Sequence, residues 1–416
     1  VRNAGGDQLL TIGRVQTPTL ALIVERDRQI ANFEPQPFWR IEAKFEAISE
    51  DTSVEKLEKQ ESDPKKSNHT FIGKFFRGPI FASKKSKNNS GNSNNDNAVH
   101  PERFMNRADA EMVRDSILGQ PGVISYAQKK RKVEKPPLLY DLNALQKRAN
   151  QRFGFSAQKT LDIAQALYER YKLLTYPRTD AQYLTPDQEA TIPNILKGLS
   201  VIPPYKNAVN QLRDQFVKDG KLRGGKRIYN AAEVGDHHAI LPTGKSPMNV
   251  DLNVDEKKIF DLVARRLLAA LSADALFDIT TIVVDVEPKE GMDIPNAPTE
   301  GSPNPEKQTT KKEKTPYRFK TTGKICVQLG WQEIDPLTSK KNSKNNSLKE
   351  NMLPNVSKGD GTTTKNAECK EGKTTPPSHY NEASLLTAMD TAGRNLEDEE
   401  LKRAMRNAGL GTPATR

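Results

Sequence analysis

The run Leu173-Leu174-Thr175-Tyr176-Pro177-Arg178-Thr179-Asp180 sets a phenol two residues from a guanidinium, just after a helix-patterned segment. A phenol is a weak nucleophile at its free pKa of roughly 10, but a phosphodiester made through it is readily reversed. The arginine is always protonated, and its fork of donors suits the charge that builds on a phosphate under attack. Pro177 fixes its own φ and pushes the residue before it out of the helical region, so Tyr176 is expected at a rigid break. Downstream, Asp236-His237-His238-Ala239-Ile240-Leu241-Pro242-Thr243 supplies imidazoles able to hand a proton to a leaving sugar hydroxyl near neutral pH. The two histidines are not read as a zinc pair: adjacent side chains face apart and no cysteine is near.

Two further blocks bracket these runs: Gly13-Arg14-Val15-Gln16-Thr17-Pro18-Thr19-Leu20, and Gly409-Leu410-Gly411-Thr412-Pro413-Ala414-Thr415-Arg416. Read on residues alone, the first is either a turn offering amides, Arg14 and Gln16 to a single strand or a loop capping the helix that follows. Taken together and in this order, the four blocks resemble the motifs of type IA DNA topoisomerases, in particular the bacterial topoisomerase III branch. The resemblance implies that Tyr176 is the nucleophile and that Arg178 and His237 assist it, His237 matching the family motif better than His238. It also implies DNA contacts from Arg14, Gln16, Thr17, Thr179, Asp180, His238, Thr412, Thr415 and Arg416.

The composition is compatible with such a partner. Lys and Arg number 64 against 53 Asp and Glu, a net charge of +11 over 416 residues. This favours a polyanion without proving one. The length allows two to four domains. A mean hydropathy of -0.73 is low for one compact globule and places the excess polarity in loops. Cys326 and Cys369 form neither a disulfide framework nor a zinc quartet, so a reducing compartment is the default. No apolar run reaches membrane length, and no signal peptide is read.

Along the chain, hydrophobic periodicity predicts an amphipathic helix from Thr19 with Pro18 in its first turn, then a strand over 38–45. A polar insert, about 46–103, follows and is read as a loop between strands. Arg107 to Leu118 reads as a helix and Val123 to Ala127 as a strand. The basic run Gln128 to Lys135 leads to Pro136-Pro137, read as a domain entry. Leu142–Phe153 and Ser156–Tyr171, separated by Gly154, form a helix-turn-helix pattern with Tyr176 directly after it. Thr185-Pro186-Asp187-Gln188 reads as a capping box, and Asn253 with Glu256 starts a helix running to Leu271. Strands over 277–287 and 317–331 follow, with polar inserts at about 288–316 and 336–375. Asn381 caps a final helix. Asp285 and Glu287 are strand-end charges, lacking the partners a metal site would need. Gly372-Lys373-Thr374 mimics a phosphate loop, but Ala367 stands where its first glycine belongs, so nucleotide hydrolysis is not expected.

The order of strands, helices, then strands again implies an insertion. The expected fold is a multidomain α+β type IA-like partial toroid: a helical base (1–35 and 376–416), a β-rich hinge (36–135 and 277–375) and an inserted, mainly helical tyrosine domain (136–276). The resemblance implies ATP-independent cleavage of one strand through a 5′-phosphotyrosine, passage of another strand and religation. It also implies Mg²⁺, held by a first domain that should precede Gly13 by a long stretch. Only about a dozen residues do so here, and the chain starts at Val1, so a fragment is expected that binds single strands and cleaves poorly by itself, with no metal ligands of its own. DNA is the expected partner, with a helicase or single-strand-binding protein as a candidate second one. The expected location is cytoplasmic, in the bacterial nucleoid. Two rivals are weighed: a tyrosine recombinase, whose histidine should precede its nucleophile, and a noncatalytic helix-turn-helix module favouring duplex.

Overall fold

The computed structural model describes residues 13–48, 70–77, 100–220, 224–289, 316–336, 352–392 and 409–411. The expected contacts Thr412, Thr415 and Arg416 lie outside them. Six antiparallel strands, β1 (Pro37–Ile48), β2 (Thr70–Phe75), β3 (Pro121–Glu134), β4 (Ala275–Val286), β5 (Tyr317–Gln328) and β6 (Gly361–Lys373), close into a barrel in the order β1-β2-β5-β4-β3-β6. Alternation drives this closure. Ile41, Ala43, Phe45 and Ala47 of β1 face the same interior as Phe71 and Phe75 of β2, Ile282, Val284 and Val286 of β4, and Phe319 of β5. Phe45 sits at the centre, 5.7 Å from Phe71 and 5.4 Å from Phe319 between ring centroids, and truncating it to alanine would cost about 3–5 kcal/mol. Helix α2 (Arg107–Ile117) buries Ala110, Val113 and Ile117 against the same core.

The helical unit is an excursion between the paired strands β3 and β4. In chain order it holds α3 (Leu142–Phe153), α4 (Ala157–Glu169), α5 (Ile192–Ser200), α6 (Pro203–Asp219), the short α7 (Gly225–Ile228) and α8 (Val254–Ala270). Its core gathers Leu145, Leu167, Leu196, Val209, Ile259 and Leu267 around the central segments Leu139-Tyr140 and Ala239-Ile240-Leu241. Helix α3 ends at Gly154 in the left-handed region (φ 70°), which lets α4 begin three residues later with Ser156 as its cap. Helix α8 opens with the expected reciprocal Asn253–Glu256 box.

One buried joint fixes the unit to the barrel. Asp335, 2% exposed, accepts from Arg148 of α3 at 2.9 Å and from Arg266 of α8 at 3.1 Å. Beside it Trp331 packs on Ala269, Ala275 and Phe277, and its indole N–H donates to the Glu134 carbonyl at the end of β3. Outside both cores lie α1 (Gln16–Ala31) and α9 (Glu382–Thr391). Arg26 of α1 stacks on Tyr380 and donates to the Ser378 carbonyl, while Asn143 and Lys147 of α3 grip Asp390 of α9.

Several expectations need correction. The stretch 336–375, expected as a polar insert, contains β6, the strand that closes the barrel between β1 and β3. Its inward positions are Thr362, Thr364 and Ala367, too small and polar to read as a core strand. The insert expected at 46–103 likewise contains β2, only six residues long, and β1 continues to Ile48. Trp331 does not extend a strand but lies in a short 3₁₀ turn over Gly330–Glu333. A helix does start after Thr185, as a 3₁₀ helix over Pro186–Thr191 with the Gln188 N–H donating to the Thr185 carbonyl, but Thr185 makes no side-chain cap, and α5 follows from Ile192. The predicted apolar face of α1 has no buried residue among those described, and Leu20 is 61% exposed.

Candidate active site

The loop after α4 is bent by Lys172, the one described non-glycine residue with positive φ (55°). The Leu173 N–H returns to the Leu167 carbonyl, and Leu173 and Leu174 are buried as anchors. The chain then pairs with the segment after the histidines. The Thr175 N–H donates to the Leu241 carbonyl, the Leu241 N–H to the Thr175 hydroxyl, both at 2.8 Å, and the Thr243 N–H to the Leu173 carbonyl at 3.0 Å. Two motifs some sixty residues apart are thereby laid side by side.

Tyr176, half-buried and outside any helix, emerges where this pairing ends. Its ring centroid lies 4.4 Å from that of His237, tilted by 47°, and 5.5 Å from Tyr168 in an edge-on contact. His237 is exposed. Elsewhere in the helical unit the phenols of Tyr140, Tyr205 and Tyr229 are buried. Burial pushes Tyr140 up to about 12, and Tyr229 likewise to about 12. Burial also raises Tyr205, which is further held protonated by Asp261. Of these four phenols Tyr176 is the one that is partly exposed and lies against an imidazole ring.

Arg178 is exposed and aimed by α4: with the Gln165 amide oxygen turned toward it, its Nε and Nη2 both donate there at 3.0 Å. An amide orients the fork without neutralising it, leaving the charge for an anion. Asp180 is exposed beside it. His238 places Nδ1 2.7 Å from the Ala239 carbonyl, to which it donates when that nitrogen carries the proton.

Thr179, expected to touch DNA, is buried at 4% exposure and already engaged. Its hydroxyl donates to the His237 carbonyl at 3.0 Å and accepts from the Ala181 N–H at 3.1 Å. It is a tether between the tyrosine and histidine loops. Behind it the Leu142 N–H donates to the Thr179 carbonyl, and Asp141, the cap of α3, accepts from Ala144 N–H and the Gln182 side chain. Burial pushes the Asp141 carboxyl up from its usual range, partly offset by those two donors.

Arg14, Gln16 and Thr17 are exposed at the start of α1, where the Thr17 hydroxyl accepts from the Gly13 N–H. The helix they open is tied through Arg26 to Ser378 and Tyr380. The sequence reading missed Gln165 and Tyr168, which face the loop from α4; the available signal was a polar and an aromatic side chain three residues apart on an otherwise apolar helix.

Among the described residues no group of three or more His, Cys, Asp or Glu side chains is placed to hold a metal ion. The described carboxylates are therefore not grouped as a Mg²⁺ site needs, and Asp285 instead pairs with Arg318 at 3.1 Å. Gly372 and Lys373 end strand β6, which is not the strand-to-helix setting of a phosphate loop. No described helix is long and apolar enough to cross a membrane.

A family model described as DNA topoisomerase matches residues 1–416. The chain belongs to that family. Bacterial topoisomerases resemble it throughout: DNA topoisomerase 3 of Salmonella typhimurium is 32% identical over all of this chain, and that of Bacillus subtilis 30% over 98%. This topoisomerase chain spans 53% and 46% of those two proteins, about half their length. Full-length topoisomerase I from Thermotoga maritima shares the fold at a TM-score of 0.55 and 19% identity, over 98% of this chain and 50% of that one. The α+β architecture is that of a bacterial type IA topoisomerase-like region.

Proposed function

We propose that the protein to which this chain belongs cuts and rejoins one DNA strand through Tyr176. The carrying observation is the half-buried Tyr176 phenol lying against the exposed His237 ring, tethered by Thr179 and flanked by the amide-oriented Arg178. In the step, the phenolic oxygen attacks phosphorus, the bond from phosphorus to the 3′ oxygen breaks, and the Tyr176 oxygen retains the 5′ phosphate. The phenol gives up its proton as it attacks and the departing 3′ oxygen takes one up; His237, whose ring lies against the phenol, carries the proton from the first oxygen to the second. Arg178 meets the charge on the phosphate oxygens. Reversal reseals the strand, and the phosphotyrosyl bond keeps the energy of the one it replaced, so no nucleotide need be hydrolysed.

In this reading the barrel is the hinge and the helical unit the gate that carries Tyr176 away while another strand passes. Segments 1–35 and 376–416 form parts of a single-strand-binding base, with Arg14, Gln16, Asp180 and His238 among the contacts. Mg²⁺ and its ligands belong to residues other than these, the working site is the nucleoid, and a helicase or single-strand-binding protein is the natural companion for an enzyme needing unwound DNA. A labelled oligonucleotide tests the reaction's polarity. Single-stranded DNA labelled at its 3′ end should pass its label covalently to the full-length protein, and DNA labelled at its 5′ end should not. The reverse pattern would mark a 3′-phosphotyrosyl enzyme of the recombinase kind and overturn the reading.

A further inference from the structure

At one end of the barrel three half-buried arginines have no carboxylate within ion-pair distance among the described residues: Arg40 of β1, Arg77 just after β2, and Arg103. They are held by rings. Arg40 and Arg103 both stack on Phe38, at 4.9 and 4.3 Å, and Arg77 stacks on Phe104 at 4.3 Å and Phe75 at 5.4 Å. The scaffold under them is stiff. Trp39 and Phe104 exchange both backbone hydrogen bonds at 2.8 Å, and the Arg77 N–H donates to the Pro101 carbonyl. Gly372, opposite Phe38 in the β1–β6 register, leaves room for that ring; a Cβ there would come within 2.6 Å of it.

Such a cluster is costly as it stands. A desolvated guanidinium needs hydrogen-bond acceptors, yet the Nε groups of Arg40 and Arg103 are buried with none. Arg40 also lies across from Lys370, whose own charge is taken by Glu42 and Glu368. Asp109 acts on Arg77 only through space, without an ion pair. His100 registers the local field: burial lowers its imidazole below the usual range, and the Arg103 and Arg40 charges lower it further. A fork of unneutralised donors, pre-oriented by aromatic stacking, is what a tetrahedral anion with several acceptor oxygens requires.

We propose that Arg40, Arg77 and Arg103 form a phosphate-binding site at this pole of the barrel. The phosphate is either a phosphodiester of a DNA strand lying along the hinge or a free phosphate group. The first source rests on the proposed strand-binding function; the site itself does not.

The test uses the full-length protein and the double variant Arg40→Gln/Arg103→Gln. Melting temperature is measured in chloride, in inorganic phosphate at matched ionic strength, and with a single-stranded oligonucleotide. Wild type should gain stability from phosphate or oligonucleotide, and the variant should lose that gain while melting no lower in chloride, since it sheds two unpaired charges. If the strand is the source, the variant's oligonucleotide affinity should also depend less steeply on salt, by about 0.7 in log–log slope for each phosphate it no longer neutralises. A gain from inorganic phosphate alone identifies a free phosphate as the source. Should the double variant not fold, Arg77→Gln is read in the same way. No gain over chloride from either anion, or a gain the variants keep in full, overturns the site. Failure of wild type to bind oligonucleotide at all would sink the strand-binding function while the phosphate arm still decides the site.

Discussion

Thr179→Val removes one buried oxygen while keeping the side chain's shape, and its consequences can be worked from two hydrogen bonds. Ala181 is buried, so its N–H, now donating to the Thr179 hydroxyl at 3.1 Å, would find no replacement and cost about 1–3 kcal/mol. The His237 carbonyl, accepting at 3.0 Å on an exposed residue, recovers water and adds roughly 0.5 kcal/mol or less. The new methyl returns about 0.8 kcal/mol of apolar burial at most. The net loss is about 2 kcal/mol, or roughly 4–8 °C for a helical unit of this size. Functionally the tyrosine and histidine loops lose the side-chain tether that reaches His237 itself, leaving the Thr175 hydroxyl to hold the segment behind it, and a misplacement of about 1 Å lowers a positioned reaction by up to about 100-fold. Urea unfolding of this chain measures the first effect, and single-turnover covalent adduct formation by the full-length protein the second. A variant within about 0.5 kcal/mol of wild type and with an unchanged adduct rate would refute the view that this hydroxyl couples the two loops.

Asp335→Ala should be among the most damaging single changes outside the site. It removes the buried carboxylate that the Arg148 and Arg266 guanidiniums share, a loss of about 3–5 kcal/mol readable by urea unfolding. Arg178→Ala should slow adduct formation by on the order of 100-fold, and Gln165→Leu, which frees the guanidinium without removing its charge, by clearly less. Equal losses would mean the amide does more than orient. The pH dependence should show two opposed carboxyls. Asp278, held below its usual range first by Arg131 and then by Lys129, contributes stability present above its unfolded pKa and lost as pH falls through the folded one. Asp278→Asn should flatten the acid side of a stability profile below about pH 4. Asp141, raised by burial, does the reverse: its contribution is present below its unfolded pKa and is lost as pH rises through the folded one.

Chemistry was more legible in the sequence than architecture. The phenol, guanidinium and imidazole stood in short contiguous runs, and Leu142–Phe153 could be bounded because Asp141 and Gly154 punctuate it locally. The juxtaposition of Tyr176 and His237 was not legible, because it depends on non-local backbone pairing of 173–175 with 241–243. Barrel closure escaped for a different reason. Strand β6 fills its interior with Thr362, Thr364 and Ala367, because Phe45 and Phe319 already occupy the volume, so its pattern reads as polar loop. The burial of Thr179 was not legible either, because residue type says nothing about which way a hydroxyl in a motif points.

The central claim is that the Tyr176 oxygen changes place with a sugar oxygen on a DNA strand. Trapping the covalent complex with single-stranded oligonucleotide in full-length wild type and in Tyr176→Phe tests it most directly. The account predicts an adduct in wild type, none in the variant, and equal noncovalent affinity for the strand in both; an adduct that survives the loss of that one oxygen would contradict it.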